Sequence, residues 1–494
     1  MGTIDKASFH RYAWLLVGGI LMVFYNGNAV SAAAWLAPVF VLRFTRVCSR
    51  KELLFVPLVL AVSHALLMYE PFSNAAIPPI FRVIFGIVCG QFIFIPLIVD
   101  RLLTKKINGF TTTLVFPATW VSVEFILSMV SPLSTFGVIG YTQSGNLPLM
   151  QIVSITGIWG LSFIIIWFSS VMNWVWQHQF RFELVKKGVA TYAAIMLAVL
   201  IYGESRLLTA HFEKSVRVIA SSSSYEVRRF FREALKSGNC PPLAVNISTF
   251  DDFMGKTAMP DSKIIFWQEY ALITCEADEG QIVEHARIKA RERGIYLGLP
   301  IGVVKKKGQK HLLENKVVWI APDGQVLSNY IKSYTAPWET SSNPIKKVST
   351  FKTDFGTAGT VICFDMDFPS LIRQAGKNNV EFMLVPSYDW RGIAPFHSYM
   401  AVFRAVENGF SLVRAAGDSG MSISSDPYGR VLSYLDNQSS SDKIMVVDLP
   451  IYNTKTLYPL IGDLFAWLSI AGLVILAFIP RNKQRGRPLK TIKK

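Results

Sequence analysis

Residues 357–369 read Thr357-Ala358-Gly359-Thr360-Val361-Ile362-Cys363-Phe364-Asp365-Met366-Asp367-Phe368-Pro369. The small and β-branched residues leading into Cys363 describe a buried strand, and a helix-like segment, 370–377, follows Pro369. A thiol therefore sits on a strand-to-helix elbow. Sulfur at such a place lies near helix-start N–H groups, which favour thiolate character and can hold an oxyanion. For a single cysteine taken alone, a buried structural role is the better reading, because free cysteine is among the most buried residue types. The rest of the chain shifts that balance.

The chain has 494 residues, of which 51% are hydrophobic and only 17% charged, too apolar for an ordinary soluble protein of this length. It is a membrane protein or contains a membrane domain. Its formal charge of +16 comes from residues scattered between apolar segments and gathered at the C-terminus. That pattern fits anionic lipid headgroups better than nucleic acid. The five cysteines, Cys48, Cys89, Cys240, Cys275 and Cys363, show neither CxxC spacing nor a dense framework. Cys240 and Cys275 could pair if oxidised.

Apolar segments fall at about 12–26, 28–45, 53–70, 78–99, 112–131, 152–176, 188–203 and 463–480. Since about 20 helical residues cross a bilayer core, we read eight spans, the first a retained anchor. Arg43, Arg46, Arg50 and Lys51, then Arg101, Lys105 and Lys106, then Arg181, Lys186 and Lys187, and finally seven Lys/Arg in 481–494 lie on one side. The alternate connections carry none, so the positive-inside rule puts both termini in the cytoplasm and 204–462 outside it. The expected organisation is a transmembrane domain over 1–203, an extracytoplasmic α/β domain over 204–462, a final helix over 463–480 and a basic tail over 481–494. Glu124 is the one acidic residue deep in a span, with a role in function or in a helix–helix hydrogen bond, and Arg82 is its possible partner. The uncharged loop 131–150 is long for a bundle connection and is either a plain loop or one that shapes a lipid entrance.

The outer segment alternates strand-like runs at 216–220, 263–267, 294–304, 317–320, 359–362, 380–386, 410–415, 421–424 and 443–449 with helical stretches at 281–293 and 395–408. Pro322-Asp323-Gly324 and Asp426-Pro427-Tyr428-Gly429 read as hairpin turns. Three reactive groups come just after strands: Glu269 after 264–268, Lys332 after 326–330 and Cys363 after 360–362. Gathered at one sheet edge, they would supply a base, a positive stabiliser and a nucleophile.

Strand-Glu, Lys and strand-Cys in this order resemble the nitrilase superfamily, and seven spans, an outer domain and one last span resemble the apolipoprotein N-acyltransferase family. Gly140-Tyr141-Thr142-Gln143, Pro148-Leu149-Met150-Gln151 and Gly157-Ile158-Trp159-Gly160-Leu161-Ser162-Phe163 resemble that family's sixth-span segment. Tyr330-Ile331-Lys332 through Pro337-Trp338-Glu339 resembles its lysine segment and second glutamate, and Phe403-Arg404-Ala405-Val406-Glu407-Asn408-Gly409 with Val413-Arg414-Ala415 its later strands. The departures are Cys363-Phe364-Asp365 in place of Cys-Tyr-Glu, Pro337-Trp338-Glu339 one residue shorter than Pro-Phe-Gly-Glu, and 220–225 without a Gly-Asn-Ile-like run.

The resemblance implies an α-β-β-α sandwich beside the membrane helices, in a bacterial inner membrane. It implies that Glu269 accepts the proton of Cys363, which takes an acyl chain from a phospholipid as a thioester, and that Lys332 stabilises the oxyanion. The acyl chain then passes to the α-amine of an S-diacylglyceryl-cysteine apolipoprotein. Glu339 is placed second, orienting Lys332 or standing as a solvated loop carboxylate; Asp365 and Tyr388 follow as weaker candidates, and His397 caps or packs. No metal spacing among the seven histidines and no phosphate loop is present, so neither metal nor cofactor is expected. The rival readings are a membrane-anchored amidase, in which water resolves the acyl-cysteine, and a catalytically silent homologue that binds lipoproteins.

Overall fold

The computed structural model describes residues 6–24, 30–69, 71–73, 77–222, 226–307, 310–336, 339, 345–440, 443–452 and 454–478. The basic tail, Pro337 and Trp338 lie outside them. Every apolar segment of the sequence contains a helix: α1 (Lys6–Val23), α2 (Ser31–Val47), α3 (Phe55–Tyr69), α4 (Pro79–Leu103), α5 (Val115–Val130), the single turns α6 (Leu147–Met150) and α7 (Val153–Thr156), α8 (Ile158–Gln177), α9 (Phe182–Leu208) and, at the far end, α16 (Leu464–Phe478). Five of these segments, Glu52–Tyr69, Pro79–Leu103, Phe110–Val130, Ile158–Gln177 and Phe182–Leu208, are long and apolar enough to cross a membrane. Helix α9 outruns its apolar window at both ends because backbone hydrogen bonding continues through the polar flanks.

Small residues let the bundle close. A Cβ on Gly90 would stand 2.5 Å from the Leu60 carbonyl oxygen, and one on Gly86 2.6 Å from the Ala65 Cα. This Gly-xxx-Gly face of α4 therefore lies directly on the α3 backbone, the close approach by which membrane helices gain packing when no hydrophobic force separates them from lipid. Glu124 accepts from Trp120 Nε1 and from the Ile139 backbone N–H, both at 2.9 Å, so it moors the 131–146 connection. Arg82, the partner considered for it, instead donates to the Ile77 carbonyl and lies over the Tyr69 ring.

The remaining strands form two sheets. One has the order β13-β1-β2-β4-β5-β6, with β3 also on β4, and the other the order β12-β11-β10-β9-β8-β7. In chain order these are β1 (Ser215–Ser221), β2 (Ile264–Trp267), β3 (Leu272–Cys275), β4 (Tyr296–Lys307), β5 (Lys310–Ile320), β6 (Val326–Ile331), β7 (Ser349–Thr353), β8 (Gly356–Thr360), β9 (Phe382–Asp389), β10 (Ser411–Asp418), β11 (Met421–Ser425), β12 (Val431–Asp436) and β13 (Ile444–Pro450). The helices between them are α10 (Glu226–Ser237), α11 (Leu243–Lys256), α12 (Glu279–Arg293), α13 (Pro369–Lys377) and α14 (Phe396–Asn408), with the single turn α15 (Tyr458–Ile461) before α16. Alternation along the strands explains the layering. Val218, Ile264 and Phe266 point to the core shared with the second sheet, whereas Ile219, Ile265 and Trp267 point to α11 and α12. Both faces are buried, so the strands read as continuous apolar runs. Both expected hairpin turns join antiparallel pairs, β5–β6 and β11–β12.

The two halves are joined by buried polar contacts. The Ile158 N–H at the start of α8 donates to Glu407 Oε1 on α14 at 2.9 Å, and Gln151 Nε2 to the Tyr428 carbonyl at 2.9 Å. Cys240 and Cys275 are disulfide-bonded, tying the segment before α11 to the end of β3.

Candidate active site

Strand β8 ends at Thr360, and Cys363 opens a tight 3-10 turn, Cys363–Asp367, before α13 starts at Pro369. The expected strand-to-helix elbow takes the form of this tight turn. It forces Cys363 to φ +48°, a conformation that costs a non-glycine residue on the order of 1–3 kcal/mol and collects at functional sites. Asp365 holds this turn. Its carboxylate accepts from the Ile362 N–H at 3.0 Å, from the Tyr330 hydroxyl at 2.7 Å and from the Tyr334 N–H at 2.7 Å. One side chain thereby ties the cysteine turn to the Tyr330 side chain and the Tyr334 backbone, on either side of Lys332. Burial pushes the Asp365 carboxyl up to about 6 in spite of these donors.

Glu269 and Lys332 meet. Lys332 Nζ donates to Glu269 Oε1 and to both oxygens of Glu339, each at 2.8 Å, with all three side chains buried. Glu339 is therefore no solvated loop carboxylate; it also accepts from the Tyr270 hydroxyl at 3.0 Å and the Ala336 N–H at 2.6 Å. Asn315 Nδ2 donates to Glu269 Oε1. Two carboxylates share one ammonium in a dry site. Burial and then the Glu339 charge push Glu269 up, against the pull of Lys332, which suits it to accept a proton near neutral pH. Lys332 is driven well above its ordinary value because its two carboxylates outweigh the burial that opposes its charge.

Cys363 is buried, and the charges of Glu269, Asp389, Lys332 and Arg414 all bear on it. Burial first, then the two carboxylates, push its thiol well above the ordinary range. This reverses the thiolate character expected from the elbow alone. Among the described residues, the thiol's acceptors are Asp389 Oδ1 at 3.7 Å and the Tyr388 carbonyl at 4.0 Å. Tyr388 thus faces the sulfur through its backbone, while its side chain packs against the small apolar cluster that includes Tyr270, Ile273 and Leu313.

Behind the sulfur lies a network the sequence reading missed. Asp389 accepts two bonds from the Arg414 guanidinium and faces His397 Nδ1 at 2.9 Å; His397 Nε2 faces Asp367 Oδ1 at 2.8 Å. Burial opposes a charge on His397, but the Asp367 and Asp389 carboxylates outweigh it and push the imidazole up to about 9. His397, expected to cap or pack, is an ion-pair partner instead. Ligand atoms of Cys363, Asp389 and His397 fall within 4.8 Å of one another, the one such group among the described residues. Arg414 donates to the Asp389 carboxylate of this group, however, and already supplies the positive charge a metal ion would bring. The membrane half also reaches this site. Ser134 Oγ and Thr135 Oγ1, on the connection after α5, donate to the Asp367 carbonyl at 2.9 and 2.7 Å. No local pattern in 131–150 announces these bonds, which join residues more than 230 positions apart.

Residues 237–456 of this two-sheet α/β half, which hold Glu269, Lys332 and Cys363, match the family model described as carbon-nitrogen hydrolase. Residues 17–171 match the model described as the apolipoprotein N-acyltransferase N-terminal domain. Together the two matches give the chain the two-domain make-up of the apolipoprotein N-acyltransferases, the family to which it is similar. It is 24% identical over 410 residues to the apolipoprotein N-acyltransferase of Geobacter metallireducens, covering 75% of this chain and 74% of that one. The apolipoprotein N-acyltransferase of Rickettsia typhi is 25% identical over 396 residues, covering 74% and 76%. Among solved structures, an amidase from Nesterenkonia sp. aligns with 48% of this chain and 92% of its own, at 19% identity and a TM-score of 0.39.

Proposed function

We propose that the protein transfers a fatty acyl chain from a phospholipid to the N-terminal amine of S-diacylglyceryl-cysteine apolipoproteins, through a thioester on Cys363. Glu269 takes the thiol proton while the sulfur bonds to the ester carbonyl carbon; the carbon–oxygen bond to glycerol breaks, and Glu269 returns the proton to the departing lysophospholipid. Lys332, held by Glu339, faces the developing oxyanion. In the second half, the neutral α-amine bonds to the thioester carbon, the carbon–sulfur bond breaks, and the amine's proton passes through Glu269 to the sulfur. Acceptance by an amine rather than water separates this reading from an amidase.

The observation that carries it is the direct hydrogen bonding of the Cys363 turn by Ser134 and Thr135 of the membrane half. Both substrates carry acyl chains whose exposure to water costs about 0.8 kcal/mol per CH₂, so a site that serves them has to be built into the membrane part. In this reading eight helices span the bacterial inner membrane. The α/β domain over 204–462 lies outside, and both termini face the cytoplasm with the cationic loops. The test is a transfer assay with phospholipid and a synthetic diacylglyceryl-cysteine peptide. Wild-type protein should yield N-acylated peptide, and Cys363→Ala protein should yield none; equal product from both would end the proposal.

A further inference from the structure

Asp389 is used by neither step above, yet it is the carboxylate beside the nucleophile. Its side chain is fully buried and gripped from two elements: Arg414 of β10 donates to both of its oxygens, and His397 of α14 closes on Oδ1 at 2.9 Å. The second nitrogen of His397 is anchored on Asp367, two residues before α13 and on the same turn as Cys363. Two cations thus fix an anion whose Oδ1 stands 3.7 Å from Cys363 Sγ. Glu269, by contrast, has its Oε1 engaged with Lys332 and Asn315.

We propose that Asp389, clamped by Arg414 and His397, is a positioning residue that accepts the Cys363 S–H and parks the nucleophile as a thiol in the resting enzyme. The inference rests on Cys363 as the nucleophile. The proton leaves Asp389's side and moves to Glu269 only when an acyl ester lies against the sulfur, so a thiolate does not stand exposed to water, oxidant or a stray electrophile between turnovers. No covalent change occurs at Asp389. The titratable and charged groups around the sulfur are Glu269 and Tyr270 after β2, Lys332 after β6, Asp389 on β9 and Arg414 on β10, with His397 behind Asp389. Removing the Asp389 charge takes an anion from beside the sulfur and leaves the Arg414 guanidinium in place, so the thiol should ionise more easily even as transfer fails.

The experiment is the pH dependence of Cys363 alkylation by iodoacetamide in the full-length protein in detergent, read by peptide mass, for wild type, Asp389→Asn and Asp389→Glu. Asp389→Asn should move the alkylation midpoint down by at least one pH unit, about tenfold faster labelling below the midpoint. Transfer should fall in kcat with little change in the phospholipid KM, and Asp389→Glu should restore part of both. A midpoint unmoved or raised in folded Asp389→Asn protein overturns the proposal. Because the folding of that variant is not assured, a wild-type measurement stands beside it. The infrared S–H stretch in the wild type minus Cys363→Ala difference spectrum should lie at lower frequency than that of a thiol with no acceptor. A stretch at the free-thiol position overturns the proposal without any Asp389 variant. Both readouts stand apart from transfer activity, so failure here and failure of Cys363 as nucleophile give different results.

Discussion

Thr135 Oγ1, on a connection between membrane helices, donates at 2.7 Å to the carbonyl of Asp367, the last residue of the turn that presents Cys363. Ser134 Oγ shares the same carbonyl at 2.9 Å. A net hydrogen bond is worth about 1 kcal/mol, and a buried carbonyl stripped of its donors costs more. The Ser134→Ala/Thr135→Val double variant should therefore lose about tenfold in transfer rate while still inserting into membranes. Unchanged kinetics in that variant would mean that the membrane half does not set the turn.

The shared ammonium makes a second prediction. Glu269 acts as a base only when ionised, and burial and then Glu339 hold it above the ordinary carboxylate value. Activity should accordingly fall as pH drops through that raised value. Glu339→Gln removes the second carboxylate and leaves Lys332 to Glu269 alone, and both changes lower Glu269. The acid limb of kcat/KM should shift to lower pH, with a reduced plateau. A shift to higher pH would contradict the assignment.

Removing Lys332 itself should cost more. Lys332→Ala takes away the positive group facing the oxyanion, and on the scale of one oxyanion-hole donor the loss is at least ~10²-fold in transfer. Glu269→Ala and Cys363→Ser should abolish transfer while the protein still inserts. Normal activity in any of the three would mean that the set is misassigned.

Asp365 carries a stability prediction. It gathers the Ile362 and Tyr334 N–H groups and the Tyr330 hydroxyl, all in the interior. Asp365→Ala would orphan buried donors at about 1–3 kcal/mol each. The variant should show a clearly lowered thermal transition and lost activity, with Asp365→Asn milder in both. An unchanged transition for Asp365→Ala would show that the turn holds without it.

The disulfide tests the topology. Cys240 and Cys275 are 35 residues apart, and a bond closing a loop of that size contributes about 2–4 kcal/mol where thiols can oxidise. In membranes prepared from cells under acid quench, both cysteines should resist maleimide until a reductant is added. Labelling without reductant would place the domain in a reducing compartment.

Much of this architecture was legible in the chain. Apolar runs located the membrane helices, shorter strand-like runs located nine of the strands, and Glu269, Lys332 and Cys363 stood out because each follows a strand. Strand β12 was not legible, since its residues are largely exposed at a sheet edge and carry no buried pattern. The elbow at Cys363 was legible but its tight 3-10 form was not, because Asp365 holds the turn through Tyr330 and Tyr334, 35 and 31 positions away. Asn315 and the Asp367–His397–Asp389–Arg414 network were missed for a different reason. The contacts span eight to 46 positions of the chain, and no local periodicity encodes which polar groups will share a buried space.

The most direct test of the account is the intact mass of the purified protein after incubation with phospholipid, with Cys363→Ala beside it. The account predicts an acyl-sized mass increase on wild-type protein alone, which persists in buffer and disappears when a diacylglyceryl-cysteine peptide is added, as the peptide gains the same mass. An adduct lost equally fast without peptide would make the protein a hydrolase, and an adduct that forms on Cys363→Ala protein would contradict the thioester at the centre of the account.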